Sequence, residues 1–520
     1  MPNKLPIASD RQLNKTQRRL LLVTAAVSSG CGLAVELLLG TLASYLVGNQ
    51  ALAYGVAVGG FLAAMGIGSY LSQYIAADTA SKKASQQQLL AAFIKVELLI
   101  APLTALLPLS LFALFIADGY LWLGLFLATV LLGILAGLEV PLLTRVLELE
   151  AGVREALAGV LALDYLGALL GSLAFPVLLL PWLGMFPTAF ILGAFPALMA
   201  FFIGQKFSQL RRWGYVGLIV AIALIILSPL ATSLSNRLEN DLYQAPVVRR
   251  IQSAVQRIVL TRQGEDLRLF LDGDLQLSTF DEYRYHEALV HPAMSASGDR
   301  QKVLIMGAGD GMALREVLKW QEVEQVTLIE LDPEVVKLAS SYPQLVKVNQ
   351  NSFADPRVKV IYGDAFQIAP KLPTQFDVII ADFPDPDREI IAKLYAVGFY
   401  RRLLSRLSDT GILVTQASSP FFAPKVISCI AATIAEVGLI SHPYVTNVPS
   451  FGLWGFVLAS RQNIDDTRLQ LPVTTRFLTA TNLHHLFDLP GDITLDRVDI
   501  NRLSDPVITR YQSDRRWFAY

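Results

Sequence analysis

Five carboxylate residues follow successive apolar runs in the second half of the chain, and their spacing suits the binding of a cationic ligand. They are Asp310, Glu330, Asp364, Asp382 and Asp385. Because the carboxyl ends of parallel strands meet at one edge of a sheet, we expect these side chains to gather there. Each acid alone could simply cap the helix that follows it. Five together favour a binding site in which mutual repulsion raises the pKa of some of the carboxyl groups.

A glycine-rich loop carries the first of these acids. The segment Gly307-Ala308-Gly309-Asp310-Gly311 follows an apolar run at 302–306 and precedes a helical pattern at 312–320. A strand, a glycine turn and a helix in this order are typical of a nucleotide cradle, in which the glycines let the backbone approach a ligand. A carboxylate at this point repels a phosphate and attracts an ammonium group. The loop therefore predicts a nucleoside-like ligand with a positive charge.

The elements that position these residues form an α/β pattern. Apolar runs that alternate with helical patterns predict a Rossmann-like, doubly wound parallel sheet with strands at 302–306, 325–330, 358–362, 376–381 and 411–416. Before them, alternating segments and a Gly273-Asp274 turn predict a small antiparallel β meander, followed by a helix at 281–294. We place the meander subdomain at 237–299 and the α/β domain with its C-terminal tail at 300–520.

The first half of the chain has the composition of a membrane domain, which we place at 1–236. Each of seven apolar stretches is long enough to cross about 30 Å of hydrocarbon as a helix. Two small-residue spacings, Gly55-xxx-Gly59 and Gly167-xxx-Gly171, predict close helix packing. The seven stretches are 20–47, 51–77, 89–116, 120–144, 156–180, 184–204 and 214–234.

Basic residues mark alternate loops of this domain and predict its orientation. The loops around Asn49, Asp118 and Trp182 carry no Lys or Arg. The positive-inside rule therefore places the N-terminus in the cytoplasm, and seven crossings place the chain after Leu234 outside. The basic residues of the other loops are Lys4, Arg11, Lys15, Arg18, Arg19, Lys82, Lys83, Arg145, Arg154, Lys206, Arg211 and Arg212.

Four acidic residues interrupt the apolar stretches. Ionisable groups in hydrocarbon are candidates for function, and these four could line a path for a cationic solute. They could equally pair with Lys95 or with backbone donors, or lie near helix ends. The four are Glu36, Glu97, Glu139 and Asp164.

Composition and spacing argue against several other classes of function. A net charge of −1 gives no case for nucleic-acid binding. The two cysteines, Cys31 and Cys429, cannot form a disulfide framework or a zinc site. No DxD spacing near Asp310 suggests a metal site, and no serine occupies a nucleophile elbow. We therefore predict neither a metal nor a bound cofactor.

Several motifs, in one order, resemble those of the spermidine synthases, or polyamine aminopropyltransferases. The resemblance covers about residues 250–460. The whole chain is similar to a bacterial subgroup with an N-terminal multi-span membrane region. The motifs are the meander, 281–287 (DEYRYHE), 307–311 (GAGDG), Glu330, Gly363-Asp364 and Asp382-x-x-Asp385-Pro386.

This resemblance implies an activity and a role for each candidate residue. The family transfers an aminopropyl group from decarboxylated S-adenosylmethionine, a co-substrate, to putrescine, which gives spermidine and methylthioadenosine. Asp382 matches the catalytic acid. The implied donor-binding residues are Gln256, Gly307, Gly309, Asp310, Glu330, Asp364 and Ala365. The implied amine-binding residues are Tyr285, His286, Asp310, Asp382 and Asp385. The family also implies a homodimer or homotetramer, here in the bacterial inner membrane.

The sequence departs from the family pattern mainly on the amine side. Val255 and Phe451 stand where many members have tyrosine, and Phe383-Pro384 replaces small hydroxyl residues. Two alternatives to the transferase stay open: a methyltransferase on the same fold, and a non-catalytic polyamine sensor or transporter. Topology adds a conflict, since the family's donor is cytoplasmic. Either the segment 89–116 does not span the membrane, or the second half lies outside.

Overall fold

The computed structural model describes residues 13–47, 50–75, 82–116 and 120–513, and the chain divides into two compact units. The units are Met1–Ala245 and Pro246–Tyr520. The last helix of the first unit continues to Leu242, beyond the composition boundary at 236. Lys4, Arg11 and the loops at Asn49 and Asp118 lie outside the described residues.

The first unit is a bundle of long apolar helices. Among the described residues, seven segments are long and apolar enough to cross a membrane, which agrees with the seven predicted stretches. One of them, Val153–Leu183, combines α5, a π-helical turn at Phe175–Leu179 and the short α6. The helices are α1 Lys15–Val47, α2 Gln50–Leu71, α3 Lys82–Ile116, α4 Leu121–Ala151, α5 Val153–Ala174, α6 Leu180–Leu183, α7 Met185–Lys206 and α8 Arg211–Leu242.

Glycines bring pairs of these helices into backbone contact. As predicted for Gly167 and Gly171, an added Cβ at Gly167 would lie 1.9 Å from the Ala26 carbonyl oxygen, so α5 packs directly against α1. The prediction for Gly55 and Gly59 is wrong, because no described atom lies within 4 Å of a Cβ added at either position. The buried face of α2 instead carries Ala57, Phe61 and Ala64, so the two glycines lie on its exposed side.

The second unit begins with a four-stranded antiparallel sheet in the order β1-β2-β3-β4. Positive φ angles at Asp272 and Gly273 give the tight turn between β3 and β4. The meander prediction did not include β1, which lies in the polar segment after the last apolar stretch. The strands are β1 Val247–Gln252, β2 Arg257–Gln263, β3 Asp266–Leu271 and β4 Asp274–Ser278, followed by helix α9 at Glu282–Ala296.

A seven-stranded mixed sheet follows, in the order β10-β11-β9-β8-β5-β6-β7. The five predicted strands pair in parallel, whereas β10 and β11 are antiparallel and were not predicted. The chain winds from β5 through β6 to β7, then returns to β8 beside β5, so the topological switch point lies between β5 and β8. The strands are β5 Lys302–Gly307, β6 Gln325–Glu330, β7 Val358–Tyr362, β8 Phe376–Asp382, β9 Leu407–Gln416, β10 Ile440–Val448 and β11 Gly452–Ser460.

Two apolar cores cover the two faces of this sheet and fix its strand ends. One core packs Leu304 and Ile379 against Phe399 and Ile430, and the other packs Val303 against Trp320. The remaining helices are α10 Met312–Leu318, α11 Pro333–Ser341, α12 Pro343–Val348, α13 Ala365–Ile368, α14 Glu389–Ala392, α15 Val397–Leu403, α16 Pro424–Ala435, α17 Ala480–His485 and α18 Val507–Gln512.

Candidate active site

The site is built around the switch point, where β5 ends at Gly307 and β8 ends at Asp382. The two residues are register partners in the parallel ladder. Gly307 has φ +82°, and a Cβ there would lie 2.1 Å from the Asp382 carbonyl oxygen. Only glycine permits this approach, so the loop and the end of β8 are held together by backbone geometry.

The glycine loop places Asp310 at the start of α10. Its Oδ1 accepts a hydrogen bond from the Met312 N–H at 2.8 Å, and its side chain is largely buried. A Cβ at Gly309 would lie 2.7 Å from Oε2 of Glu330, so the loop passes directly over the end of β6. The structure thus brings Asp310 and Glu330 to the same edge of the sheet, as predicted.

Glu330 connects this loop to the β1–β4 sheet through Asp332. Oε1 of Glu330 accepts from the Asp332 N–H at 2.9 Å, and Oδ2 of Asp332 accepts from Gln256 Nε2 at 3.2 Å and from Ser253 Oγ at 2.6 Å. Burial, with the charges of Asp332 and Asp310, raises the pKa of Glu330 to about 7. Sequence reasoning missed Asp332, although Asp332-Pro333 is a helix-start signal.

Asp364 caps a helix and also makes an ion pair. Oδ1 accepts from the Phe366 N–H at 2.9 Å, at the N-terminus of α13, and Oδ2 lies 2.7 Å from Lys393 Nζ. Ala365, the first residue of α13, is buried. Asp364 is therefore a helix cap, and it also lies at the sheet edge where the acids were expected to gather. Lys393 was not predicted, since 29 residues separate it from its partner.

Asp382 accepts a hydrogen bond from Tyr285, which α9 presents to the switch point. The distance from Tyr285 Oη to Asp382 Oδ1 is 2.5 Å. Burial raises the pKa of Asp382 to about 6, and the Asp310 charge adds to this effect, while His286 and Tyr285 oppose it. Asp382 is therefore mostly ionised at neutral pH and remains able to accept a proton.

His286 is buried between two carboxylates. Its Nδ1 lies 2.8 Å from the Glu282 carbonyl oxygen and 3.0 Å from Glu282 Oε2, and its Nε2 lies 3.9 Å from Asp310 Oδ2. Although burial opposes the charged form, the hydrogen bond with Glu282 and the Asp310 charge raise the pKa of His286 to about 9. The imidazole is therefore a cation at neutral pH and screens Asp310 from Asp382.

Glu282 is in turn clamped by Arg315 on α10. Arg315 Nη1 and Nη2 donate to the two Glu282 carboxylate oxygens at 2.8 and 2.9 Å. This bidentate pair is buried, and with His286 it lowers the pKa of Glu282 against the effect of burial. Sequence reasoning overlooked both residues, although the i, i+4 spacing of Glu282 and His286 on one helix was a usable signal.

An aromatic wall borders Asp382 and surrounds the Tyr285 ring. The ring centroid of Tyr285 lies 5.3 Å from that of Phe456, 6.2 Å from that of Phe451 and 6.3 Å from that of Trp454. Phe451 is one of the departures noted above, and it contributes a ring without a hydroxyl to this wall. The wall suits the methylene chain of a ligand whose charged end meets a carboxylate.

Asp385 lies in the loop after β8 and is held by neutral donors. Its Oδ2 accepts from Ser418 Oγ at 3.0 Å and from Gln512 Nε2 at 2.9 Å, and Gln416 Nε2 lies 3.3 Å from Oδ1. Burial, together with the charge of Asp387, raises the pKa of Asp385 to about 7. Binding of a cation beside Asp385 would therefore shift this carboxyl group fully to its charged form.

The structure therefore joins most of the predicted residues into one site. Asp310, His286, Tyr285 and Asp382 form a continuous series of contacts, and Glu330 joins it beneath Gly309. Gln256 reaches Glu330 through Asp332. Asp364 and Asp385 extend the edge on either side, each with its own partners. Such a site can hold a ligand with two or more positive charges and remove a proton from an amine.

Comparisons with known proteins support the motif resemblance. Residues 282–469 match the family model of the spermine/spermidine synthase domain. Polyamine aminopropyltransferase 1 of Ralstonia nicotianae is 40% identical over 530 residues, covering 98% of both chains. Polyamine aminopropyltransferase of Leptospira interrogans is 39% identical and covers 96% of this chain and 98% of its own.

A crystal structure of spermidine synthase with the transition state analogue AdoDATO is 30% identical, with a TM-score of 0.44 over 47% of this chain and 86% of that chain. The full-length relatives span both the apolar helical region and the site described above. The chain is therefore an aminopropyltransferase and belongs to the polyamine aminopropyltransferase family, in the long form with an N-terminal apolar helical region.

Proposed function

We propose that this protein transfers the aminopropyl group of decarboxylated S-adenosylmethionine to putrescine, giving spermidine and methylthioadenosine. The observation that carries the proposal is the series of contacts Asp310–His286 and Tyr285–Asp382 at the switch point. These contacts support the proposal because Asp310 belongs to the glycine loop, while Asp382 is a carboxylate that can accept a proton.

On the donor side, each contact has a chemical role. Asp310 pairs with the ammonium group of the decarboxylated donor, and it repels the carboxylate that ordinary S-adenosylmethionine carries beside its amine. Glu330, with Gln256 fixed by Asp332, holds the ribose hydroxyl groups. Gly307 and Gly309 allow the backbone to approach the nucleoside. Asp364 and Ala365 hold the adenine beside α13.

The reaction is an in-line displacement. The neutral nitrogen of the acceptor attacks the carbon attached to the sulfonium, a C–N bond forms, and the C–S bond breaks. The electron pair of the C–S bond passes to sulfur, which leaves as the neutral thioether of methylthioadenosine. Asp382 accepts the proton that the nitrogen loses, and Tyr285 orients the carboxylate through its 2.5 Å hydrogen bond.

On the acceptor side, Asp382 and Asp385 hold the two nitrogens of putrescine. Asp382 ends β8 and Asp385 lies in the loop after it, which separates the two charges, and the aromatic wall of Phe451 and Trp454 covers the methylene groups between them. His286 remains protonated and offsets part of the repulsion between Asp310 and Asp382. Phe451 lacks the hydroxyl that many members present to the amine, so a more apolar acceptor would also be accommodated.

The protein is proposed to be a multi-pass component of the bacterial inner membrane with its N-terminus in the cytoplasm. All seven candidate spans, including Ala84–Ile116, meet the length and hydropathy needed for crossing. A reporter fused after residue 520 tests the orientation, since an odd number of crossings places that end outside. Mass measurement of the detergent-solubilised protein tests the proposed homodimer or homotetramer.

The decisive assay uses the full-length protein in detergent, labelled decarboxylated donor and a panel of di- and triamines. We expect methylthioadenosine release to depend on putrescine, and Asp382→Asn to lower kcat by about 10²–10⁴-fold. Asp409→Asn, at an exposed aspartate of β9, is the matched control. No methylthioadenosine with any amine would contradict the proposal. Methyl transfer from ordinary S-adenosylmethionine would favour the methyltransferase alternative, and saturable amine binding without product would favour a sensor or transporter.

A further inference from the structure

The C-terminal segment of the chain, residues 470–513, supplies a side chain to the amine side of the site. It lies beyond residue 469, where the match to the synthase domain ends. Its last helix, α18, ends at Gln512, and Gln512 Nε2 donates a hydrogen bond to Asp385 Oδ2 at 2.9 Å. Asp385 is one of the two carboxylates proposed above to hold the nitrogens of the acceptor. The end of the chain therefore reaches the acceptor side of the site.

Packing and hydrogen bonds fix the route of this segment across the second unit. Near its start, the buried carboxylate of Glu287 on α9 accepts hydrogen bonds from the backbone N–H groups of 476–478. Further along, Asn501 is fully buried, and its Nδ2 donates to the carbonyl of the last residue of α14 at 2.9 Å. Val507 and Ile508 of α18 lie in the apolar core that covers one face of the sheet. The position of Gln512 is therefore set by the fold.

Gln512 and Ser418 together hold one oxygen of Asp385. Ser418 Oγ lies 3.0 Å from Asp385 Oδ2 and 3.1 Å from Gln512 Oε1, so its single hydroxyl proton can be donated to either. Ser418 is fully buried and has φ +59°, a left-handed conformation that is uncommon for residues other than glycine. The chain keeps this costly conformation at the point where the three side chains meet.

The other oxygen of Asp385 is held only weakly. Among the described residues, Oδ1 makes one side-chain contact, with Gln416 Nε2 at 3.3 Å. Gln416 Nε2 also lies 2.8 Å from the Phe383 carbonyl oxygen and 2.6 Å from Tyr395 Oη, so its contact with Asp385 is the longest of the three. Oδ1 is therefore the oxygen that remains available to a ligand.

A glutamine at this position orients the carboxylate without neutralising it. Asp364, at the same sheet edge, lies 2.7 Å from Lys393 Nζ, so its charge is compensated within the protein. The side chains that donate to Asp385 in the described part of the chain are all neutral. The negative charge of Asp385 is therefore left to pair with a cation from outside, such as an ammonium group.

We propose that Gln512 is a positioning residue of the acceptor site, which directs Asp385 Oδ1 toward the distal ammonium group of a diamine. The inference rests on the proposed function, and it gives the C-terminal segment a part in distinguishing diamines from monoamines. Butylamine has the same four-carbon chain as putrescine and offers a reacting nitrogen, but it has no second charge. Gln512 should therefore contribute to the binding of putrescine and not to the binding of butylamine.

The test measures binding of putrescine and of butylamine to the full-length protein in detergent, by titration calorimetry in the presence of methylthioadenosine. Gln512→Met keeps the side-chain length and removes the hydrogen bonds. We expect it to weaken putrescine binding by about tenfold and butylamine binding by less than about twofold. Gln512→Lys should place an ammonium group against Asp385 and abolish the preference for putrescine over butylamine. Arg510→Met, at an exposed residue of α18 paired with Asp505, is the matched control and should leave both affinities unchanged.

A kinetic measurement separates this inference from the proposed function. In aminopropyl transfer, Gln512→Met should raise KM for putrescine with little change in kcat or in KM for the donor. Putrescine binding without methylthioadenosine release by the wild-type protein would contradict the proposed function, while the binding ratios still decide the inference. Thermal unfolding identifies the folded variants, and either Gln512 variant alone is decisive.

Three results would overturn the inference. The first is a wild-type protein that does not bind putrescine. The second is a folded Gln512→Met or Gln512→Lys protein with the wild-type preference for putrescine over butylamine. The third is an equal loss of affinity for both amines in Gln512→Met, which would indicate a purely structural role.

Discussion

Replacing Tyr285 by phenylalanine isolates the contribution of one hydroxyl to the proposed general base. The substitution removes the donor to Asp382 Oδ1, 2.5 Å away, and keeps the ring of the aromatic wall. A hydrogen bond to a charged group contributes about 1.5–3 kcal/mol, and about 1.4 kcal/mol corresponds to one pKa unit. Because the bond favours the ionised carboxylate, its loss should raise the pKa of Asp382 from about 6 to roughly 7–8.

The assay is kcat/KM for the acceptor between about pH 5 and pH 9, measured from methylthioadenosine release. Wild-type activity should fall on the acid side of about pH 6, because protonated Asp382 cannot accept a proton. This fall at low pH is the acid limb of the profile, and in Tyr285→Phe it should move up by about one to two pH units. The kcat/KM values of the two enzymes should converge at high pH. Protonation of the acceptor itself affects both enzymes equally, so the displacement reports the enzyme.

Tyr444→Phe is the matched control for this displacement. Tyr444 is a buried tyrosine whose hydroxyl donates to the Ala288 carbonyl at 2.8 Å and bonds to no carboxylate in the described part of the chain. Its loss should lower stability slightly and leave the acid limb in place. An acid limb in Tyr285→Phe that coincides with the wild-type limb would refute the assignment of Asp382 as the group that controls it.

Three further perturbations address other parts of the molecule. Asp310→Asn should weaken binding of the decarboxylated donor by about 10–100-fold, because a charge-assisted bond is lost. It should also reduce the preference of the enzyme for that donor over ordinary S-adenosylmethionine. Competition between the two donors measures the affinity and the preference. The pKa of His286, raised to about 9, gives stability that is fully present below about pH 6.5 and is lost as pH rises through 9. Glu282→Gln should lower that pKa and flatten the dependence of Tm on pH over this range, and an unchanged dependence would contradict the clamp. Gly167→Val should disrupt the bundle, because a Cβ there meets the Ala26 carbonyl at 1.9 Å. Thermal unfolding in detergent measures the loss of stability. Gly55→Val is the control and should leave the stability nearly unchanged.

The elements predicted best were those with the strongest local signal. The buried parallel strands are continuous apolar runs, so β5, β6 and β7 were located to within one residue. The edge strand β10 was missed because His442 and Pro443 interrupt its pattern, and an edge strand tolerates a proline that a central strand does not. The first strand, β1, was missed because the adjacent Arg249 and Arg250 interrupt its apolar pattern.

The acids at the sheet edge could be located from the sequence, whereas most of their long-range partners could not. Strand-end acids and the glycine loop have local signatures, so Asp310 and Asp382 could be placed at the sheet edge in advance. The partners are set by folding: Arg315 reaches Glu282 across 33 residues, and Gln512 reaches Asp385 across 127. Such contacts depend on the packing of distant elements and leave no pattern in a single sequence.

The register pairing of Gly307 with Asp382 has a consequence for how amine specificity can diverge. The proposed donor cradle and the proposed base are fixed to each other by neighbouring strands of one sheet, while Phe451 comes from the turn between β10 and β11. If the proposed roles hold, substitutions in that turn reshape the acceptor pocket without moving the reacting groups apart. Evolution, or a protein engineer, can explore new amines in the hairpin while the chemistry stays fixed in the sheet.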